Sequence, residues 1–166
     1  MPNLKNIIDA SNKRKNNTEN QTDSNRKCNC VKKDQCPLQN QCLSSSIVYQ
    51  ATVTTKGKEE TYIGVTENQF KARFANHKQS FKNQRYKHQT ELSKYIWSLK
   101  EEEVEFNITW RIIRKAEAYN NISKRCNLCT TEKWFILCKP SMATLNTRVE
   151  LINNCRHKNR FLTTSQ

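Results

Sequence analysis

Four cysteines are concentrated in residues 27–45, a stretch that has little strand or helix pattern. A segment of this kind buries too little apolar surface to become ordered by itself, so it needs a cross-link such as a bound metal ion. Because the N-terminus lacks the apolar segment of a secretory signal, we expect a reducing compartment, where clustered thiols ligate metal more often than they form disulfides. Spacing predicts one tetrahedral Zn²⁺ site, formed by Cys28, Cys30, Cys36 and Cys42.

A second group of candidate zinc ligands lies towards the C-terminus. Cys126 and Cys129 are separated by two residues, which is a common ligand spacing. Cys155 and His157 could complete a second site. Two further histidines, His77 and His88, are alternative ligands that could replace a cysteine in either site.

The chain is strongly basic throughout. It contains 29 Lys and Arg residues against 15 Asp and Glu, a net charge of +14 over 166 residues. The first 45 residues account for +4 and the remainder for +10, so the excess charge belongs to the folded part. A positively charged domain repels itself unless it serves a polyanion, so we expect a nucleic-acid partner. No apolar run is long enough to cross a bilayer, so we expect no membrane partner.

Composition divides the chain into four parts. Residues 1–26 are rich in Asn, Ser, Thr and Lys and are predicted to be a disordered tail. The cysteine-rich segment 27–45 follows, and residues 46–158 form the predicted folded domain, with 159–166 as a second tail. Hydrophobic residues make up only 35% of the chain, so the core is expected to be small. The run Lys13-Arg14-Lys15 favours a nuclear location.

Strand signals come first in the folded domain. Residues 46–54 are β-branched and aromatic, and residues 61–65 have the same character. A turn at residues 56–58 joins them in an antiparallel hairpin. Thr66 and Gln69 fit the N-cap and N3 positions of a capping box, which predicts that a helix begins there. The helix carries a stripe on one face, formed by Phe70, Phe74, His77 and Phe81.

The second half of the domain alternates helix and strand. A second helix is predicted from Thr90, a third strand over residues 104–113, a helix over 131–137 that stops near Pro140, and a short last helix over 147–153. This order predicts an α+β fold with a small antiparallel sheet of about three strands flanked by helices.

Two short motifs resemble a known nuclease family. Tyr49 in Ile47-Val48-Tyr49, followed by Tyr62-Ile63-Gly64, resembles the paired motifs of GIY-YIG nucleases. A lone glycine inside a strand, such as Gly64, marks a bulge or the close approach of a backbone or a ligand. The first motif has Ile47 where glycine is usual, a feature shared with the branch found in Penelope-like retroelements.

The resemblance extends over residues 46–150 and implies further site residues. The helix that follows the second motif is similar to the one that carries the family's arginine, which corresponds to Arg73, with His77 one turn later. The stretch from Thr131 to Asn146 resembles the region of the family's metal-binding glutamate. It implies Glu132 as the metal ligand and Asn146 as a further site residue.

Each implied residue has a chemical role and a structural alternative. Arg73 would clamp a phosphate through its planar guanidinium, or it is a solvated helix residue. Tyr49 or Tyr62 would orient or deprotonate the attacking water, or both simply pack in the sheet. Glu132 would hold Mg²⁺ or Mn²⁺ together with phosphate and water, or it interacts with the helix dipole.

His77 and Asn146 also leave two possibilities open. His77 would act as an acid or base or ligate metal, or it is a core histidine. Asn146 would anchor the loop near Glu132, or it caps a helix that follows. The Penelope-type branch implies a finger of two cysteines and two histidines, which Cys36 and Cys42 could form with His77 and His88. This set competes with the four-cysteine site.

The resemblance implies an endonuclease that nicks DNA to supply a primer end for a reverse transcriptase, acting in cis or in trans. A catalytically inactive, zinc-dependent nucleic-acid-binding module is the alternative. A zinc-dependent interaction module of the ubiquitin-ligase kind is disfavoured, because more than eighty residues of sheet and helix separate the two cysteine groups.

Overall fold

The computed structural model of the protein describes residues 27–123 and 125–147. Within them, three strands and three α-helices follow one another along the chain: β1 Ile47–Thr55, β2 Lys58–Thr66, α1 Phe70–Lys82, α2 Glu91–Glu101, β3 Phe106–Lys115 and α3 Asn127–Cys138. Short 3-10 turns lie at Lys33–Gln35, Gln84–Tyr86 and Pro140–Met142. The predicted α+β class with a small antiparallel sheet is therefore confirmed.

The sheet has the order β2-β1-β3, with both pairs antiparallel. β1 lies in the middle, which is why its β-branched and aromatic side chains are buried on both faces. Thr55 pairs with Lys58, so Lys56 and Gly57 alone form the turn of the β1–β2 hairpin. Gly57 has φ +100°, a conformation that favours glycine. β2 begins at Lys58, three residues earlier than predicted.

Helices cover both faces of the sheet. On one face, α1 and α2 contribute to a cluster made of Leu38, Ile47, Tyr49, Ala51, Val53, Tyr62, Phe70, Leu92, Ile96, Leu99 and Trp110. On the other face, α3 packs in a second cluster made of Val48, Ile63, Val65, Cys126, Leu128, Cys129, Phe135, Ile136 and Ala143. Alternate residues of β1 and β2 thus serve two cores.

The predicted capping box at the start of α1 is wrong. Thr66 is the last residue of β2 and still pairs with Ile47, so it cannot act as an N-cap. The helix begins at Phe70, and the residue before it, Gln69, makes no side-chain capping hydrogen bond. Carbonyl groups of the cysteine-rich segment accept the first helical amides instead: Ser44 O from Phe70 N and Cys42 O from Lys71 N. The predicted stripe is confirmed, with Phe70 and His77 buried and Phe74 and Phe81 packed against the core.

The two later helices begin with side-chain caps. α2 begins as predicted, because the Thr90 hydroxyl accepts a hydrogen bond from the Ser93 amide. α3 begins four residues earlier than predicted, and the Cys126 thiol accepts from the Cys129 amide. β3 begins at Phe106 rather than at Val104, since the Val104 amide donates to Leu99 O at the end of α2.

Several predictions lie outside the described residues. They are the two tails, residues 148–153 of the predicted last helix, and the candidate ligands Cys155 and His157. Among the helices of the described residues, none has the length and apolar character needed to span a bilayer.

Candidate functional site

Tyr49 and Gly64 lie opposite each other on β1 and β2. A Cβ atom at residue 64 would lie 2.6 Å from the Tyr49 Oη atom and 3.1 Å from Cε1 of Tyr62. Both phenol rings therefore occupy the space above Gly64, and no side chain fits there. A close approach occurs at this glycine, but the approaching group is the Tyr49 side chain and not the backbone or ligand that was expected. The bulge of the sheet lies elsewhere, between Val48 and Tyr49 where β1 faces β3.

The Tyr49 hydroxyl joins two residues of α1. Its Oη atom lies 2.8 Å from His77 Nε2 and accepts a hydrogen bond from Arg73 Nε at 3.0 Å. Arg73 and His77 are one helical turn apart, so a single face of α1 presents both to the phenol. Tyr49 and His77 are buried and Arg73 is half-buried. The structure thus brings three of the predicted site residues into one hydrogen-bonded group.

Aromatic packing holds this group in place. The Tyr49 ring packs edge-on against Phe70, with centroids 5.1 Å apart. The His77 ring lies 5.2 Å from Trp110 and 5.9 Å from Phe81. Rings on several sides leave few alternative rotamers, so the orientation of the phenol and imidazole is fixed before any ligand binds.

Electrostatics link Arg73 to two more predicted residues. Burial alone would lower the pKa of Arg73, but interactions with Tyr49, Tyr62 and Glu132 together raise it above its usual value. Glu132 lies in the second turn of α3, between the buried residues Leu128 and Ile136 one turn before and after it, and is itself half-buried. It therefore faces inward. The helix dipole acts most strongly in the first turn, and Glu132 lies beyond that turn.

A cleft of about 220 Å³ opens beside Arg73. Its walls come from the end of β2, from α1 and from the first turn of α3: Val65, Thr66, Glu67, Asn68, Ala72, Arg73, Asn76, Leu128 and Cys129. Helices on opposite faces of the sheet meet here. The cleft offers the Arg73 guanidinium, the Glu67 carboxylate and the amide groups of Asn68 and Asn76, a combination suited to a phosphate and a hydrated cation. Of the predicted catalytic residues, Arg73 alone lines this cleft.

Asn146 clamps the edge strand β2. Its Oδ1 atom accepts from the Ile63 amide at 2.8 Å, and its Nδ2 atom donates to the Ile63 carbonyl at 2.9 Å. The side chain thereby satisfies both backbone groups of a buried residue next to Gly64. Asn146 thus anchors its loop to β2, whereas the expected anchoring was near Glu132, and the helix that it might cap lies outside the described residues.

The thiols of Cys28, Cys30, Cys36 and Cys42 form a second candidate site. All four Sγ atoms lie within 4.8 Å of one another. Individual separations are 3.6 Å from Cys28 to Cys36, 3.6 Å from Cys30 to Cys42 and 3.5 Å from Cys42 to Cys28. A tetrahedral centre with metal–sulfur bonds near 2.3 Å requires about 3.8 Å between sulfur atoms. This cluster could hold a metal ion such as zinc.

Proton affinities differ within the cluster. Burial raises the pKa of Cys42 to about 12. Burial also acts to raise the pKa of Cys36, but hydrogen bonds that include the Leu38 amide lower it to about 7. Four thiolates in one place repel one another, so a bound cation would have to displace protons from most of them.

The competing ligand set is not assembled. Among the described residues, one group of three or more side chains is placed so that it could bind a metal ion, and this group is the cysteine quartet. Neither His77 nor His88 belongs to it. His77 is engaged with Tyr49 in the core, and His88 is exposed. For the second predicted site, Cys126 and Cys129 are both buried at the start of α3, and their expected partners lie outside the described residues.

The sequence analysis missed Gln50 and Asn76. Gln50 is buried in β1, where its Oε1 atom accepts from Arg111 Nε at 2.6 Å and its Nε2 atom donates to Met142 O at 2.8 Å. A polar residue within an apolar strand was a visible signal for it. Asn76 lines the cleft beside Arg73. It lies outside the apolar stripe of α1, so no sequence pattern distinguished it from other exposed residues of this helix.

Comparisons with protein-family models, with curated proteins and with solved structures find no match to this chain.

Proposed function

We propose that this protein is a metal-dependent DNA endonuclease of the GIY-YIG type, which hydrolyses phosphodiester bonds. The observation that carries the proposal is the group formed by Tyr49, Arg73 and His77, with Tyr62 and Glu132 within electrostatic reach of Arg73. The half-buried Arg73 guanidinium, whose neighbours raise its pKa, stays charged, and it borders an open cleft of phosphate size.

The reaction needs a nucleophile, charge neutralisation and a leaving group. Water attacks phosphorus and gives one proton to a base, the bond from phosphorus to the leaving oxygen breaks, and that oxygen takes up one proton. Tyr62 is the less enclosed of the two phenols, with 6% exposure against 0% for Tyr49, so we assign it to orient or deprotonate the water. Tyr49 holds Arg73 and His77, and Arg73 clamps the phosphate.

The residues near Arg73 offer carboxylates for Mg²⁺ or Mn²⁺: Glu67 lines the cleft, whereas Glu132 interacts electrostatically with Arg73 but does not line it. Such ions are held by one or two carboxylates and complete their shell with water and substrate phosphate. Glu132 would supply the carboxylate. The bound ion would polarise the phosphate and lower the proton affinity of water. We assign Zn²⁺ to the thiol quartet, where it would have a structural role.

A row of lysines supports DNA as the substrate. Lys71, Lys78 and Lys82 lie on the exposed side of α1, a helix without any acidic residue. Lys78 and Lys82 border an open groove that also contains Trp97. Among the described residues these three lysines form no salt bridge. A basic row beside an aromatic ring suits the backbone and bases of a nucleic acid.

The cellular role rests on the sequence resemblance. The first motif, with Ile47 in place of glycine, resembles that of the branch found in Penelope-like retroelements. This resemblance favours an enzyme that nicks a nuclear target to prime a reverse transcriptase. That polymerase would act in cis within a longer protein or as a partner in trans. The net charge of +14 agrees with a nucleic-acid partner.

A catalytically inactive, zinc-dependent nucleic-acid-binding module is the second candidate. The lining of the cleft favours it, because of the implied catalytic residues only Arg73 borders the cleft, and Tyr49 is enclosed by Phe70 and fully buried. The lysine row and the thiol quartet would serve this function equally well.

Nicking of supercoiled plasmid in Mg²⁺ or Mn²⁺ separates the two candidates. We expect nicking by the wild-type protein and by Glu59→Gln, which removes an exposed carboxylate in the hairpin, and a loss of nicking in Glu132→Gln. DNA binding without nicking by the wild type would overturn the enzymatic function in favour of the binding module. Equal nicking by all three proteins would refute the assignment of Glu132.

A further inference from the structure

The start of α1 depends on the cysteine-rich segment. The first amides of an α-helix have no partner inside the helix, and side chains usually supply one. Here Gln69 supplies none. Phe70 N donates to Ser44 O at 2.9 Å, and Lys71 N donates to Cys42 O at 2.8 Å. Two backbone carbonyls, more than twenty-five residues away in sequence, thus take the place of a local cap.

Cys42 belongs to the cap and to the thiol quartet at the same time. Its Sγ atom lies 3.5 Å from that of Cys28 and 3.6 Å from that of Cys30, while its carbonyl accepts the Lys71 amide. The Lys71 side chain also donates to Asn29 Oδ1, and Asn29 lies between Cys28 and Cys30 in the sequence. A metal ion bound to the quartet would therefore fix the residue that caps the helix.

Arg73 and His77 follow this capped turn directly. Their contacts with Tyr49 Oη, at 3.0 and 2.8 Å, require that α1 begins at the right place and in the right orientation. We propose that metal binding by the thiol quartet positions Arg73 and His77 against Tyr49 by capping α1, so that metal loss releases the start of this helix while α2 and the sheet keep their structure.

This inference rests on metal binding by the quartet, and its consequence for cleavage rests on the proposed function. The rival explanation is a general staple, whose removal unfolds the whole domain. α2 is the internal reference, because its cap is local: the Thr90 hydroxyl accepts the Ser93 amide at 3.0 Å and involves no cysteine. The two explanations predict different patterns of amide protection.

Amide hydrogen exchange of the full chain tests the coupling, with Zn²⁺ present and after chelation. We expect the α1 amides from Phe70 onward to exchange about tenfold faster or more without zinc, with Ser93 and the β1 amides little changed. Equal acceleration of α1, α2 and the sheet would overturn the inference, and so would an unchanged α1. Because the measurement does not require DNA cleavage, it decides the matter even if the wild type never nicks.

A second variant guards against general unfolding after chelation. Gln69 occupies the N-cap position with non-helical backbone angles, φ -54° and ψ 135°, so Gln69→Asp would give α1 a local cap for the Lys71 or Ala72 amide. We expect zinc-free Gln69→Asp to regain most of the protection of α1. Lys82→Asp, placed at the other end of the helix, should give no rescue. Failure of rescue by Gln69→Asp would show that the metal acts on more than the cap.

Discussion

The two sides of α1 differ in what holds their residues in place. On the inner side, Arg73 and His77 are fixed by the Tyr49 hydroxyl, and the Ser80 hydroxyl donates to the His77 carbonyl. On the outer side, Lys78 and Lys82 are exposed and border an open groove. One side is ordered by specific partners, and the other presents charge.

The difference teaches where each kind of function can be placed. Chemistry needs groups held within fractions of an ångström, which only the packed side of the helix provides. Attraction of a polyanion needs charge but little order, which the solvent side provides. Substitutions on the inner side should therefore change the cleavage rate and stability, whereas those on the outer side should change affinity and its salt dependence.

Arg73→Ala should have the largest effect. It removes the guanidinium that contacts Tyr49 Oη and borders the cleft, so we expect the single-turnover nicking rate to fall by about 10²–10³-fold. Arg73→Lys keeps the charge but loses the planar fork, so it should restore little of the rate. Single-turnover assays at saturating protein measure the chemical step apart from binding.

Arg114→Ala is the matched control for that variant. It removes an exposed arginine of β3 and the same charge. If both variants lose the same fraction of the rate, arginine acts through net charge alone, and the distinction between the two sides of α1 fails.

Tyr49→Phe should have the next largest effect, and it acts on stability. The change removes only the hydroxyl, so Arg73 Nε and His77 Nε2 lose a partner in a buried place. An unsatisfied buried group costs about 1–3 kcal/mol, and we expect the free energy of unfolding in urea to fall by that amount. Nicking should fall as well, since Arg73 loses its anchor.

Tyr95→Phe is the control for the missing hydroxyl. Tyr95 is partly buried on α2, and within the described residues its hydroxyl forms no hydrogen bond. Its replacement should leave stability and nicking nearly unchanged. Equal destabilisation by both variants would mean that the contacts of Tyr49 with α1 contribute nothing specific.

Sequence patterns predicted the elements better than their connections. The stripe of α1, the Thr90 cap and the alternation of β3 are local signals, with periods that the sequence displays directly. Three strands and three helices were recovered with ends displaced by at most four residues. The capping box at Thr66 failed because strand pairing with Ile47 competes for the same residue, and local patterns contain no information about pairing.

The candidate site was predicted through motifs and completed by tertiary contacts. Gly64 was noticed as a point of close approach, yet only the register of β1 and β2 places the Tyr49 ring above it. The amide clamp of Asn146 on Ile63 and the cap of α1 by Cys42 both join residues far apart in sequence. The choice of four cysteines over two cysteines and two histidines likewise required the positions of the thiols.

Replacement of both Lys78 and Lys82 by Gln should have the smallest effect on chemistry and a distinct effect on binding. Each lysine that contacts a phosphate releases counterions, so the slope of log affinity against log salt should fall by about 2 for the pair. Nicking at saturating protein should stay near the wild-type rate, because neither residue touches Tyr49 or the cleft. Fluorescence anisotropy with a labelled duplex over a series of salt concentrations measures the slope.

The matched control replaces Lys56 and Lys115 by Gln, which removes the same charge from exposed positions in the β1–β2 turn and at the end of β3. A smaller change of slope in this control locates DNA on the outer side of α1, because bulk charge is equal in the two variants. Equal slopes would mean that the basic row is only part of a diffuse positive field. In that case, the outer side of α1 would have no binding function of its own. The two sides would then differ only in that the residues of the inner side are ordered and those of the outer side are exposed.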